Sequence, residues 1–402
     1  MRSLIKLSSF ILILTILLAS VSCANLTDDS ANSNSSSGNG YSSEYSSDAL
    51  LESSDTEGSL STDIPSDSET SKGETESNKT DATDKENDTA KRTFTLNTTN
   101  TWRYSKDVAN NVVVRTLNIT TGWGGETVTI GQATDLHINY CTSNDLKDPV
   151  LYSTYQNRKW LKDGASLPNV QRCLETLKKS DLIVLSGDIY DYYSEGVALK
   201  TDEYIFNKYD NVVGCLGNHE IARQMQGTVA DPLSLDERRE LVASTWCNDI
   251  DYASYVVKDK VMVVLLNNST AFFLESQYEK FKTDLEKARN NGYIVLIFYH
   301  IPIDTGNPAC AKVKSCNEEY YTYLYGRTDI PNPSSTGATR KVYNLISNNG
   351  DVIKGCFVGH DHYDFYTEIL AKTPSGRSTM IPQYNLAAGA RDSGHVLKIV
   401  IN

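Results

Sequence analysis

Five of the six histidines in this chain stand directly after apolar runs, and four of the five have a carboxylate, an amide or another histidine within two residues. The run ending at Ala133 is followed by Thr134-Asp135-Leu136-His137, and Leu182 to Ser186 by Gly187-Asp188-Ile189-Tyr190-Asp191. Val212 to Leu216 leads into Gly217-Asn218-His219-Glu220, Tyr293 to Tyr299 into His300, and Ile353 to Val358 into Gly359-His360-Asp361-His362. Only His395 falls elsewhere. Imidazole mixed with carboxylate suits zinc, iron or manganese, and an asparagine can add a neutral oxygen. Two ligands one residue apart, as in Asp135-x-His137 and His360-x-His362, point the same way from an extended segment. Asp135, His137, Asp188, Asn218, His300, His360 and His362 are more donors than one tetrahedral ion uses. They suit two ions sharing a carboxylate, about 3.5–4 Å apart, and Asp188, alone on its strand end, is the natural bridge. Taken singly, Asn218 reads as a left-handed turn residue, His300 as a core histidine and the aspartates as turn carboxylates. Their joint placement after five strands argues for a site.

The elements that must position these groups are legible too. Leu182-Ile-Val-Leu185 shows no alternation, as expected of a strand buried on both faces, and its carboxyl end is where open α/β sheets bind ligands. Val170, Cys173, Leu174 and Leu177 fall at helical spacing after Pro168. Further helices are expected near Leu233 to Trp246, Glu275 to Arg289 and Arg340 to Ser347. Strands are expected at Asn211 to Leu216, Ala253 to Val257, Val261 to Leu266, Tyr293 to Tyr299 and Ile353 to Val358. Closing strands follow at Tyr363 to Leu370, Met380 to Leu386 and Val396 to Ile401. The alternation implies one α/β domain of about 300 residues, taken as 131–402, with residues 92–130 supplying lead-in strands at its edge. A polar insertion, Asp304 to Thr339, carries Tyr320, Tyr321, Tyr323, Tyr325 and Arg327, which either pack the loop or line a cleft for substrate.

The ordered blocks D-x-H, G-D-x-x-D, G-N-H-E, H and G-H-x-H resemble the calcineurin-like metallophosphoesterase family, over roughly Gly131 to His362. The resemblance implies an α/β sandwich of two mixed β-sheets flanked by helices, with metals at the carboxyl ends of the strands. It implies a first ion on Asp135, His137, Asp188 and His362, and a second on Asp188, Asn218, His300 and His360. The ions would be divalent or trivalent transition metals: manganese, iron or zinc. His219 would face the leaving-group oxygen, and Asp191 would support the ligands or His219. The implied reaction is hydrolysis of a phosphate mono- or diester of a small phosphorylated substrate, by in-line attack of a hydroxide bridging the ions. Purple acid phosphatases differ in carrying D-x-G first and a tyrosine where Asp191 stands, so an iron–tyrosinate centre is not expected. Periplasmic 5′-nucleotidases add a large C-terminal substrate domain, for which this chain leaves no room after His362. An extracellular nuclease of the same fold and a surface-tethered binding protein without turnover are the competing readings.

Charge belongs to one segment. Residues 24–91 are rich in Ser, Thr, Asp, Glu, Asn and Gly, and cannot bury enough apolar surface to offset ordering entropy. Residues 24–90 hold 16 acidic and 3 basic side chains, a balance of −13 that equals the formal charge of the whole chain. The remainder is neutral in sum, which argues against nucleic acid as a partner. Residues 1–23 read as a secretion signal: Arg2 and Lys6 precede the apolar run Phe10 to Ala19, too short for a comfortable span. Ser20-Val21-Ser22 before Cys23 resembles a lipoprotein processing site, so the expected location is extracellular or at the cell surface, with membrane attachment through a lipidated Cys23. Cys310 and Cys316, in one polar loop, could pair in an oxidising compartment. Cys173, Cys215 and Cys356 are expected as buried thiols.

Overall fold

The computed structural model describes residues 95–96, 103–107, 111–121, 125–304, 324–325, 337–390 and 393–402. The expected signal, Cys23, the acidic tether and most of the polar insertion, with Cys310 and Cys316, lie outside the described residues. The chain divides into two units at Thr83/Asp84, and all described residues belong to the second. Among them no helix is long and apolar enough to cross a membrane.

Fifteen strands are present among these residues. The first six are β1 (Thr95–Leu96), β2 (Arg103–Asp107), β3 (Val112–Thr120), β4 (Val128–Ala133), β5 (Leu182–Ser186) and β6 (Val212–Cys215). Then come β7 (Tyr252–Val257), β8 (Val261–Leu266), β9 (Ile294–Phe298) and the short pair β10 (Ile303–Asp304) and β11 (Leu324–Tyr325). The chain closes with β12 (Ile353–Val358), β13 (Phe365–Lys372), β14 (Ser378–Asn385) and β15 (Gly394–Ile401). One sheet runs β1-β3-β15-β4-β5-β6 with β2 also on β3, and a second runs β13-β14-β12-β9-β8-β7. Both are mixed. In the first, β4, β5 and β6 are parallel and β15 is antiparallel to β4. In the second, β8, β9, β12 and β14 are parallel, and β7 and β13 are antiparallel edges.

Strand periodicity explains the layering. Leu182 and Val184 of β5, with Ile294, Leu296 and Phe298 of β9, fill the space between the two sheets. Their alternates face outward: Ile183 and Leu185 meet Val170, Cys173, Leu174 and Leu177 of the helix Leu167–Leu177. Val295 and Ile297 meet Phe281 and Leu285 of Glu275–Asn291, and Val342 and Ile346 of Gly337–Ser347. Each central strand is therefore covered on both faces, which is why it reads as an unbroken apolar run. The result is an α/β sandwich of two mixed sheets flanked by helices. Cys173, Cys215 and Cys356 are buried free thiols.

Some boundaries differ from the sequence reading. The helix expected at Leu233 to Trp246 is Leu235–Ala243, started by a capping box in which Ser234 and Glu237 exchange hydrogen bonds. The boundary drawn at 130/131 falls inside β4. The strand β3 is interior, paired to β1 and β2 on one side and in parallel to β15 on the other. Two helices, Pro149–Asn157 and Glu195–Thr201, have no counterpart in the sequence reading.

Candidate metal centre

The parallel strands β4, β5 and β6 of one sheet and β9 and β12 of the other end on the same rim. Each delivers its polar residue there. His300 ties the two sheets together: its Nδ1 lies 2.8 Å from the Ser186 carbonyl of β5. The Gly359 N–H donates to the His300 carbonyl (3.0 Å), and the His360 N–H to Asp135 Oδ2 (3.0 Å). The loop after β14 backs the first ligands, with the N–H groups of Gly389 and Ala390 on the carbonyls of Thr134 and Asp135.

Three groups of donors converge among the described residues: Asp135, His137, Asp188 and His362; Asp188, His300 and His360; and His137, Asp191 and His219. In the first, Nε2 of His137 and of His362 are 3.0 Å apart, and they lie 3.9 and 3.2 Å from Asp135 Oδ1. Donors about 2.1 Å from one ion would stand roughly 3.0–3.4 Å from each other; two edges of this triangle have that size, and the third, between His137 and Asp135, is longer at 3.9 Å. In the second, Nε2 of His300 is 3.0 Å from Asp188 Oδ2, and the rings of His300 and His360 meet edge to face. Asp188 belongs to both groups. Asn218 Oδ1 is buried without a hydrogen-bond partner, and so are both carboxylate oxygens of Asp361. Orphaned acceptors of this kind beside clustered imidazoles fit cations.

The backbone is bent to make this arrangement. Eleven non-glycine described residues have positive φ, and five of them are Asp135 (51°), His137 (43°), Asp188 (52°), His360 (77°) and His362 (63°). A left-handed residue with a Cβ costs on the order of 1–2 kcal/mol, so strain is concentrated at the donors. Two motif glycines are required by close approach: a Cβ on Gly217 would collide with Asp188, and one on Gly359 with Thr134 and Asp135.

Protonation follows from burial and neighbours. Burial raises the Asp135 carboxyl, but the bond and charge of His362 outweigh it and hold the group at about 2. Asp188 is likewise held well below the usual range by His300 and His219 against burial. Burial drives His360 down to about 3, helped by the charge on His300. Against burial, Asp188 and Asp135 push His300 up to about 10. Asp361, buried near Asp135, is pushed up to about 8.

His219 stands apart from the two main donor groups. Its Nδ1 lies 2.7 Å from the Asp191 carbonyl oxygen, so Nδ1–H donates and Nε2 faces the rim, 3.8 Å from Asp188 Oδ2. Asp191 turns its carboxylate to His137 Nδ1, 3.4 Å away.

Three supporting residues escaped the sequence reading. Glu220, the last letter of its block, accepts from the N–H groups of Asp188 (3.0 Å), Tyr190 (2.9 Å) and Gly217 (2.6 Å), and also from Ile189. Burial and Asp188 push its carboxyl up to about 7 against the pull of those donors. Arg158 and Asn139 both bond the Asp191 carboxylate. Asp148-Pro149, an N-cap followed by a first-turn proline, marks the helix that ends just before Arg158. Nothing local marks Arg158 itself.

The calcineurin-like phosphoesterase family model matches residues 128–364, more than half of the chain, and the chain belongs to that family. Solved structures of similar proteins include a dimetal phosphatase from Danio rerio, 13% identical, covering 65% of this chain and 88% of that one, with a TM-score of 0.37. A purple acid phosphatase from yellow lupin is 12% identical over 70% of this chain and 46% of its own, with a TM-score of 0.37. A calcineurin-like phosphoesterase from Bacillus subtilis is 15% identical over 66% and 82%, with a TM-score of 0.30. No curated protein matches the sequence.

Proposed function

We propose that this chain is a dinuclear-metal-dependent phosphoesterase that hydrolyses a phosphate mono- or diester. The observation that carries the reading is the sharing of Asp188 between two donor groups. Asp135, His137, Asp188 and His362 would hold one ion, and Asp188, Asn218, His300 and His360 the other. Ions bound there supply a nucleophile from water at neutral pH and neutralise the phosphoryl oxygens. The chain's own groups do the rest. Asp188 holds the two halves of the site together, and its Oδ1 also accepts the His219 N–H at 3.0 Å. His219, fixed through Nδ1–H, presents Nε2 to the departing oxygen and, in its imidazolium form, would donate a proton to it.

The test is hydrolysis of p-nitrophenyl phosphate and bis-p-nitrophenyl phosphate by the purified protein, after reconstitution with Mn²⁺ or Zn²⁺. Metal-dependent turnover supports the reading, and the faster substrate assigns mono- or diester chemistry. Metal uptake without turnover on either substrate, or on a panel of phosphate esters, would favour a binding protein instead.

A further inference from the structure

Arg158 is a buried cation set just past the helix Pro149–Asn157, on no strand end and in no motif. Its Nε donates to Asp191 Oδ2 at 2.9 Å and its Nη2 pairs with Oδ1, a two-point grip that fixes the carboxylate plane. Asn139 Nδ2 donates to the same Oδ2 at 3.0 Å, and its own Oδ1 accepts the Tyr192 hydroxyl at 3.0 Å, which sets the amide orientation. The Trp160 ring lies over the guanidinium, 5.5 Å from ring centre to Cζ. The held residue touches two histidines of different kinds. Its carboxylate meets Nδ1 of His137, in the first donor group, and its carbonyl accepts from Nδ1 of His219. A rotation of Asp191 would therefore disturb both rings together.

We propose that Arg158 is a positioning residue: by clamping Asp191 it orients His137 toward the metal and His219 toward the leaving group. The second half rests on the phosphoesterase reading; the first does not. A lysine at 158 keeps the charge but loses the planar fork, so it separates clamping from neutralisation.

The experiment compares the full-length wild type with Arg158→Lys and Arg158→Ala. Mn²⁺ affinity is read by calorimetry. At saturating Mn²⁺, kcat and KM are read on p-nitrophenyl phosphate and on phenyl phosphate, whose leaving group depends more on a proton, with and without methylguanidinium. The expected result is Mn²⁺ binding weakened about 10–100-fold at one site. The kcat should fall about tenfold further on phenyl phosphate than on p-nitrophenyl phosphate, with KM little changed and methylguanidinium restoring part of the alanine variant's kcat. A lysine variant with wild-type Mn²⁺ affinity and a wild-type ratio of the two substrates would overturn the proposal. So would an equal loss on both substrates with no change in Mn²⁺ affinity and no rescue, the mark of a merely structural ion pair. If the alanine variant does not fold, the lysine variant decides. If the wild type turns over neither monoester nor bis-p-nitrophenyl phosphate, the phosphoesterase reading fails, and the Mn²⁺ comparison still decides whether Arg158 positions His137.

Discussion

His219 is bonded to the main chain of Asp191 and not to its side chain: Nδ1 is 2.7 Å from the carbonyl oxygen and 3.7 Å from carboxylate Oδ1. The carboxylate is hydrogen-bonded instead to Arg158 and Asn139, with His137 Nδ1 3.4 Å from its Oδ1. A carbonyl fixes the tautomer of His219 without adding a full negative charge, and burial lowers the pKa of this imidazole. The group that would face the leaving oxygen is thus oriented by one residue yet separate from the donors that converge on Asp188.

That separation predicts different outcomes at two neighbouring residues. Asp188→Ala should lose both metals, because both donor groups lose their common member. His219→Ala should keep both and lose turnover, by about 10²–10⁴-fold. Metal analysis beside kcat checks this, and equal metal loss in the two variants would sink the assignment of roles.

Glu220 carries a structural prediction. Four N–H groups from two strand-end loops converge on its carboxylate. Glu220→Gln replaces one acceptor oxygen with an NH₂ that faces donors. The metal-free protein should lose about 2–5 kcal/mol in denaturant unfolding, and metal should bind more weakly as Asp188 loosens. A loss below about 0.5 kcal/mol, the ordinary range for a surface change, would contradict this account of the loop.

Gly359→Ala tests the close approach of backbone to ligand. The added methyl meets Thr134 Oγ1 and Asp135 Oδ2, the oxygen that accepts from the His360 N–H. The loop carrying His360 and His362 must then move, so metal content should drop while the distant strands stay folded. Retention of both metals at wild-type affinity would show that the loop can give way at no cost.

The pH dependence of stability should show Lys354. Burial, aided by Arg377 and opposed by Asp351, brings its ammonium down to about 8. Between that value and the ordinary lysine value of 10.5 the unfolded chain binds more protons than the folded one, so this group makes stability rise with pH across that window. Below pH 8 the cost of burying the charge is felt in full. Lys354→Met should stabilise the protein at pH 7 by about 1–3 kcal/mol, with the gain fading as pH climbs past 8. Parallel stability curves for the two proteins from pH 7 to pH 10 would refute it.

The donors were legible because each follows an apolar strand whose end is fixed by burial on both faces. Asp135, His137, Asp188, His300, His360 and His362 therefore announced themselves by position as well as by type. What holds them was not legible. Arg158 reaches Asp191 across 33 positions in the sequence, and no periodicity links them. The helix before it buries only Val150, Leu151 and Thr154, too narrow a stripe to register. Glu220 sat inside a recognised block but reads as a charged loop residue until its four N–H partners are brought together. The left-handed φ at five donors is equally invisible, since Asp and His do not signal that conformation as glycine does.

The most direct test of the central claim is anomalous scattering from crystals of the protein grown with Mn²⁺. Two peaks should flank the Asp188 carboxylate, one beside Asp135, His137 and His362 and one beside Asn218, His300 and His360. Both should vanish in Asp188→Ala crystals. A single peak, or peaks that leave Asp188 uncoordinated, would contradict the shared-carboxylate centre.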